Sequence, residues 1–121
     1  MFNEEKPIFL QLAEQLEEGI LSGAYPEEGQ VPSITEYAAN YKINPATALK
    51  GINLLVDRNL LYKKRGVGMF VAAGAQEKLL GERRERFYHD YIEKLVREAR
   101  HLGLSAAQLS EMLERGIENV D

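Results

Sequence analysis

The chain has 121 residues, of which 45% are apolar and 28% charged, and it contains no cysteine. That balance suits one compact domain, or a small domain with a helical extension, and it excludes disulfides and cysteine-built metal sites. The net charge of −4 does not by itself announce a polyanionic partner. No apolar run reaches the length of a membrane span and MFNEEKPIF is no signal peptide, so a cytoplasmic location is expected.

Residues 7–22 carry Ile8, Leu12, Leu16 and Ile20 at every fourth position, with Phe9 and Ala13 beside them. This spacing predicts an amphipathic helix, opened by Pro7 and closed near Gly23, whose outer face bears Glu14, Glu17 and Glu18. Glu27 to Gln30 form a loop, and Val31 is extended because it precedes Pro32. Ser33 and Glu36 then make a capping box for a second helix, in which Ala38 and Ala39 leave room for a close crossing. After a short break at Lys42–Asn44, Asn44 is an N-cap and Pro45 takes the first helical position of a third helix. Leu49, Ile52, Leu55 and Val56 give that helix one apolar face, and Asn59 suits the left-handed residue past its end. Two well-capped helices joined by so brief a turn predict a helix-turn-helix, with the second helix offered to the DNA major groove.

Beyond Asn59 two short apolar stretches, Leu60–Tyr62 and Met69–Val71, flank Lys63-Lys64-Arg65 and Gly66-Val67-Gly68. This predicts a β-hairpin with a basic, glycine-containing tip, which after a recognition helix is a wing. A lone Gly-x-Gly before a strand lacks the third glycine and following helix of a dinucleotide site. Residues 42–65 hold six cations against Asp57 alone, so a basic face can sit on an acidic body.

Ala72 to Ala75 mark a boundary, dividing the chain into a head, 1–74, and a tail, 75–121. From Gln76 to Leu102 a long helical segment places Tyr88, Ile92, Leu95, Ala99 and Leu102 in a heptad-type seam. Gly103 interrupts it. Ser105 with Gln108 is another capping box, Leu104 with Leu109 a hydrophobic staple, and Leu109, Met112, Leu113 and Ile117 continue an apolar face. The tail is expected to pair with a second copy; an intramolecular helical hairpin in a monomer is the alternative. The fold class is therefore mostly α with a small β-hairpin wing: a winged helix-turn-helix head and a two-helix dimerisation tail.

In order and spacing, Pro7-Ile8-Phe9-x-Gln11-Leu12, Gly23 with Gly29, Val31-Pro32-Ser33, Ile43-Asn44-Pro45-Ala46-Thr47 and Arg65-Gly66-Val67-Gly68-Met69-Phe70-Val71 resemble the GntR family of bacterial winged-helix regulators. The resemblance covers residues 7–71, and the short tail is similar to the YtrA-type subfamily. It implies a cytoplasmic DNA-binding repressor acting as a homodimer on a pseudo-palindromic operator. Thr47, Arg65 and Gly66 match the family pattern. Thr35 stands where many members carry arginine, Lys50 where arginine is common, Gly51 where alanine is usual, and Asn59 in place of glycine. Thr35 lacks the planar fork of arginine, which unsettles the usual half-site preference. Gly51 weakens its helix by about 1 kcal/mol unless something packs closely there.

On this reading Thr47 and Lys50, with Ala46, contact base edges. Ser33, Thr35, Lys63, Lys64 and Arg65 hold phosphates, and Gly66 approaches the minor groove. Ser33 and Asn44 are caps first, which also aim helix N-termini at phosphate. The dimerisation residues are Tyr88, Ile92, Leu95, Ala99, Leu102, Leu109, Met112 and Leu113. The expected partners are double-stranded DNA and a second copy of the chain, with no membrane. A small-molecule effector would bind between head and tail or across the dimer, with Tyr88, Tyr91 and Arg84 as candidates, but no residue pattern names one. His89 and His101 are the only histidines and lie too far apart to act together, so no catalytic residue, metal site or cofactor is expected. The competing class is a winged-helix protein–protein adaptor using the acidic first helix and the tail seam.

Overall fold

Helix α1 spans Ile8–Ser22 and stops at Gly23, whose φ of 83° needs no side chain in the way. Pro7 stands at its N-cap, not inside its first turn. The computed structural model describes residues 2–121. Leu12, Leu16 and Ile20 are buried as their spacing requires, whereas Ile8, the first of that row, is exposed. The first buried residue along the helix is Gln11. Its amide nitrogen donates to the carbonyls of Asn3 and Lys6, both at 2.8 Å, and its side-chain oxygen accepts from the Asn3 backbone N–H at 2.9 Å. These bonds satisfy every polar atom that burial would otherwise strand, and they tie the N-terminal segment to the helix.

Helix α2, Ile34–Tyr41, opens with the expected capping box: Ser33 Oγ accepts from Glu36 N, and Glu36 Oε1 accepts from Ser33 N, each at 3.1 Å. Lys42 ends it in the left-handed conformation at φ 54°. Helix α3, Pro45–Asp57, begins with Asn44 Oδ1 accepting from Ala46 N at 2.8 Å. Ala48, Gly51, Ile52 and Leu55 form its buried face, and Asn59 follows it at φ 59°. Tyr37 of α2 is buried; removal from water, aided by a hydrogen bond with Tyr25, pushes its phenol well above the ordinary range, so it stays neutral at any physiological pH.

The contact that sets the helix packing is between α1 and α3. A β-carbon at Gly51 would lie 2.8 Å from the Phe9 carbonyl oxygen and 3.2 Å from Leu12 Cδ2. Only glycine lets the two backbones approach this closely, so the helix-weakening residue is the packing solution. Arg58 at the end of α3 pairs with Glu17 of α1, and the Lys78 ammonium donates to the Arg58 carbonyl.

Strands β1 (Gln30–Val31), β2 (Leu61–Lys64) and β3 (Gly68–Val71) form an antiparallel sheet in the order β1-β3-β2. The hairpin pairs Tyr62 with Phe70 and Lys63 with Met69, while β1 adds Val31 opposite Met69 on the other edge. Leu61, Met69 and Val71 point into the core with Leu12, Leu16, Ile52 and Leu55. Helix α4, Ala75–Phe87, contributes Ala75 and Leu79 to that same core. The compact head therefore extends to Gly81, beyond the small-residue boundary at 74, because the first turns of α4 bury apolar side chains there.

The second unit, Glu82–Asp121, contains the end of α4, a π-turn at Tyr88–Ile92, α5 (Glu93–His101) and α6 (Ala106–Asn119). In the π-turn, the Glu93 N–H bonds back to the Tyr88 carbonyl, which interrupts the α-helical register that a heptad seam assumes. Gly103, at φ 68°, turns the chain, and Ser105 with Gln108 completes the expected capping box for α6.

Replacing Gly51 by alanine should lower stability by about 1–3 kcal/mol despite alanine's better helix propensity, because the added carbon meets backbone that cannot yield. Gly81→Ala, where a β-carbon meets nothing, should be neutral or stabilising. Thermal unfolding of the two variants checks this, and equal melting temperatures would contradict the packing argument.

Candidate nucleic-acid interface

With one face of α3 buried against α1, the opposite face is fixed toward solvent. Ala46, Leu49, Lys50 and Asn53 are exposed along it, while Thr47 is half-buried at its margin. Leu49 therefore does not join Ile52, Leu55 and Val56 in the core as its spacing suggests; 43% of its surface is accessible. Rotation by one residue along a helix is 100°, and the crossing with α1 places Leu49 on the outer side of that arc.

Two grooves flank this face. One, of 410 Å³, lies between the start of α2, α3 and the wing, and its walls include Ser33, Thr35, Leu49, Asn53, Lys63 and Met69. The other, of 300 Å³, runs along Ala46, Leu49, Lys50, Asn53 and Asp57. Leu49 and Asn53 line both and so form the ridge between them. Sequence reasoning passed over both residues. Leu49 reads as core from its spacing, and Asn53 carries no charge to draw notice.

Ser33 and Asn44 are engaged as caps, each holding a backbone N–H with its side-chain oxygen. Thr35 is exposed at the mouth of the larger groove. The Lys50 ammonium sits 4.0 Å from the Phe9 ring centroid, on α1. Such an exposed cation–π contact is worth roughly 0.5–1 kcal/mol, less than a good base contact at about 1–3 kcal/mol, so it parks the side chain without locking it.

The wing divides its cations. Strand alternation sends Lys63 into the groove beside α3, whereas the Lys64 ammonium lies 4.3 Å from the Phe70 ring and 6.0 Å from Tyr62, on the aromatic face. Lys63 and Lys64 thus lie on opposite faces of the hairpin. Tyr62 also donates its hydroxyl to the Glu28 carboxylate, and this bond raises its pKa. At the tip Arg65, Gly66 and Val67 are exposed, Gly66 adopts φ 76°, and the Gln30 side chain braces the turn through the Val67 carbonyl at 3.0 Å.

In the second unit the proposed pairing residues separate by exposure. Ala99 is buried, Ile92, Leu95 and Leu109 are half-buried, and Tyr88, Leu102, Met112 and Leu113 are exposed. Leu95, Ala99, Leu102, Leu104, Leu109, Met112 and Leu113 line an apolar groove of 330 Å³ between α5 and α6. His89 pairs with Glu93 one turn on, in an exposed setting. Among the described residues no cluster of His, Asp and Glu could hold a metal, and no helix is long and apolar enough to cross a membrane.

Residues 9–71 match the gntR family of bacterial regulatory proteins. The chain is similar to the HTH-type transcriptional repressor YtrA of Bacillus subtilis, at 25% identity over 108 residues, covering 89% of this chain and 82% of the relative. It is also similar to a crystal structure of a GntR-family transcriptional regulator from Bacteroides thetaiotaomicron. That match has 33% identity and a TM-score of 0.76, and it covers 94% of this chain and 99% of the other. The DNA-binding domain of AraR, solved in complex with operator ORR3, matches at 29% identity and a TM-score of 0.54, over 60% of this chain and 88% of that one. A family match over more than half its length, joined to the recognition helix and wing, places this chain in the gntR family of bacterial regulatory proteins: it is a transcription regulator, not an enzyme, and its head is a winged helix-turn-helix.

Proposed function

We propose that the protein is a cytoplasmic repressor that binds an inverted-repeat operator as a homodimer. Helix α3 enters the major groove, the tip at Arg65-Gly66 approaches the minor groove, and bound protein blocks access of polymerase. The observation that carries this reading is the convergence of the α2 N-terminus, the exposed face of α3 and Lys63 on one groove, bordered by the wing. The AraR domain's structure with its operator and the repressor name of YtrA support it by likeness.

Within the interface, Ala46, Lys50 and the margin residue Thr47 face base edges. Thr35, Lys63 and Arg65 hold phosphates, and Ser33 and Asn44 act by orienting helix N-termini. Lys64 serves the backbone only after leaving its aromatic seat. The tail within residues 75–121 supplies the pairing surface: Leu102, Met112 and Leu113 leave apolar area uncovered in a single chain, and a second copy of α5 and α6 would cover it. Two heads so joined would read half-sites one helical turn of DNA, or a multiple, apart.

Titrating operator DNA at several salt concentrations should give a log–log slope near −0.9 per phosphate contact, and Arg65→Ala should reduce its magnitude by about one while weakening all duplexes alike. Binding that ignores salt would favour the protein adaptor instead. For the tail, the wild-type chain should sediment at twice its 13.7 kDa mass, and the Leu102→Glu, Leu113→Glu double variant at the single mass. A wild-type monomer at micromolar concentration would contradict the pairing.

A further inference from the structure

The outer face of α3 is chemically unusual for a reader of guanine. Guanine is recognised by two donors delivered together, most often from arginine, and the helix PATALKGINLLVD contains none. Its single cation, Lys50, rests over Phe9 and, when released to a base edge, offers a point charge and not a planar fork. The ridge itself is Leu49 and Asn53, one helical turn apart, with the methyl of Ala46 one turn before Leu49. Leu49 is large, apolar and 43% exposed, though the same helix buries Ile52 and Leu55 almost completely.

An apolar side chain and a carboxamide on a major-groove helix match one base pair. The C5-methyl of thymine is the apolar group in that groove, and adenine N7 and N6 present the acceptor and donor that an asparagine amide meets with two bonds. We propose that Leu49 and Asn53 are specificity-determining residues that select A·T pairs. Leu49, backed by Ala46, packs on a thymine methyl, and Asn53 bonds adenine at a neighbouring pair. Thr35 at the groove mouth, assigned to phosphate, does not supply the paired donors that guanine calls for. The inference rests on the duplex-binding reading above and deepens it by naming the bases.

The test uses the full-length protein and duplexes selected by it from a random pool. Selected half-sites should hold A·T pairs at the centre of each protected major groove. Deoxyuridine in place of thymidine there removes the methyl and keeps every hydrogen bond; it should weaken binding about three- to tenfold, the worth of one buried methyl contact. Leu49→Ala should bind thymidine and deoxyuridine duplexes equally, and Asn53→Ala should lose preference for adenine while retaining that for the methyl. Neither side chain is needed for the core, and a merely structural role would not alter the thymidine-to-deoxyuridine ratio. Selection of G·C at these positions, or equal wild-type affinity for both duplexes, overturns the A·T assignment and leaves duplex binding standing. Failure to select any duplex overturns both.

Discussion

Helix α3 can present a reading face only because its other side is held against α1 at backbone distance. The Phe9 carbonyl occupies the space a side chain at residue 51 would need, and Leu12 closes the gap below it. That approach brings Ile52 and Leu55 into the same core as Leu12, Leu16 and Ile20, where each fully buried aliphatic side chain is worth about 1.5–3 kcal/mol. It also fixes the helix rotation. Once Gly51 faces inward, Ala46, Leu49 and Asn53 must face out.

The sheet and the caps complete the surface. Val31 pairs with Met69 in the sheet and is followed within two residues by Ser33, so the strand that buttresses the wing also delivers the cap of α2. The start of α2, the face of α3 and Lys63 are thereby held around one groove by core contacts. Three carboxylates of the head, Glu14, Glu17 and Glu18, lie on α1, where Glu14 pairs with Lys6 and Glu17 with Arg58.

Much of this architecture is legible in local sequence. Capping boxes at Ser33 and Ser105, the proline and asparagine opening α3, and the glycine tip of the hairpin act over three or four residues, and each forms as its residues require. What depends on distant contacts is not legible. Gln11 reads as a solvated position until Asn3 and Lys6 fold back on it. Strand β1 is two residues long and exists only because β3 has a free edge. Leu49 fits the apolar period of α3, and only the crossing with α1 turns it out. Lys63 and Lys64 are neighbours in sequence, and strand alternation sends them to opposite faces. The π-turn at Tyr88–Ile92 breaks the α-helical register within residues whose apolar spacing still reads as continuous helix, so the sequence does not mark it.

The central claim is that one face of the head, defined by the turn of α3 away from α1, meets the duplex. Titrating the isotopically labelled full-length chain with operator DNA and following backbone amide resonances tests it most directly. The account predicts that the amides of Ala46, Leu49, Asn53, Lys63, Arg65 and Gly66 shift together while those of Leu12 and Leu16 hold still. Shifts centred on Glu14 and Glu18, with α3 and the wing unmoved, would contradict it.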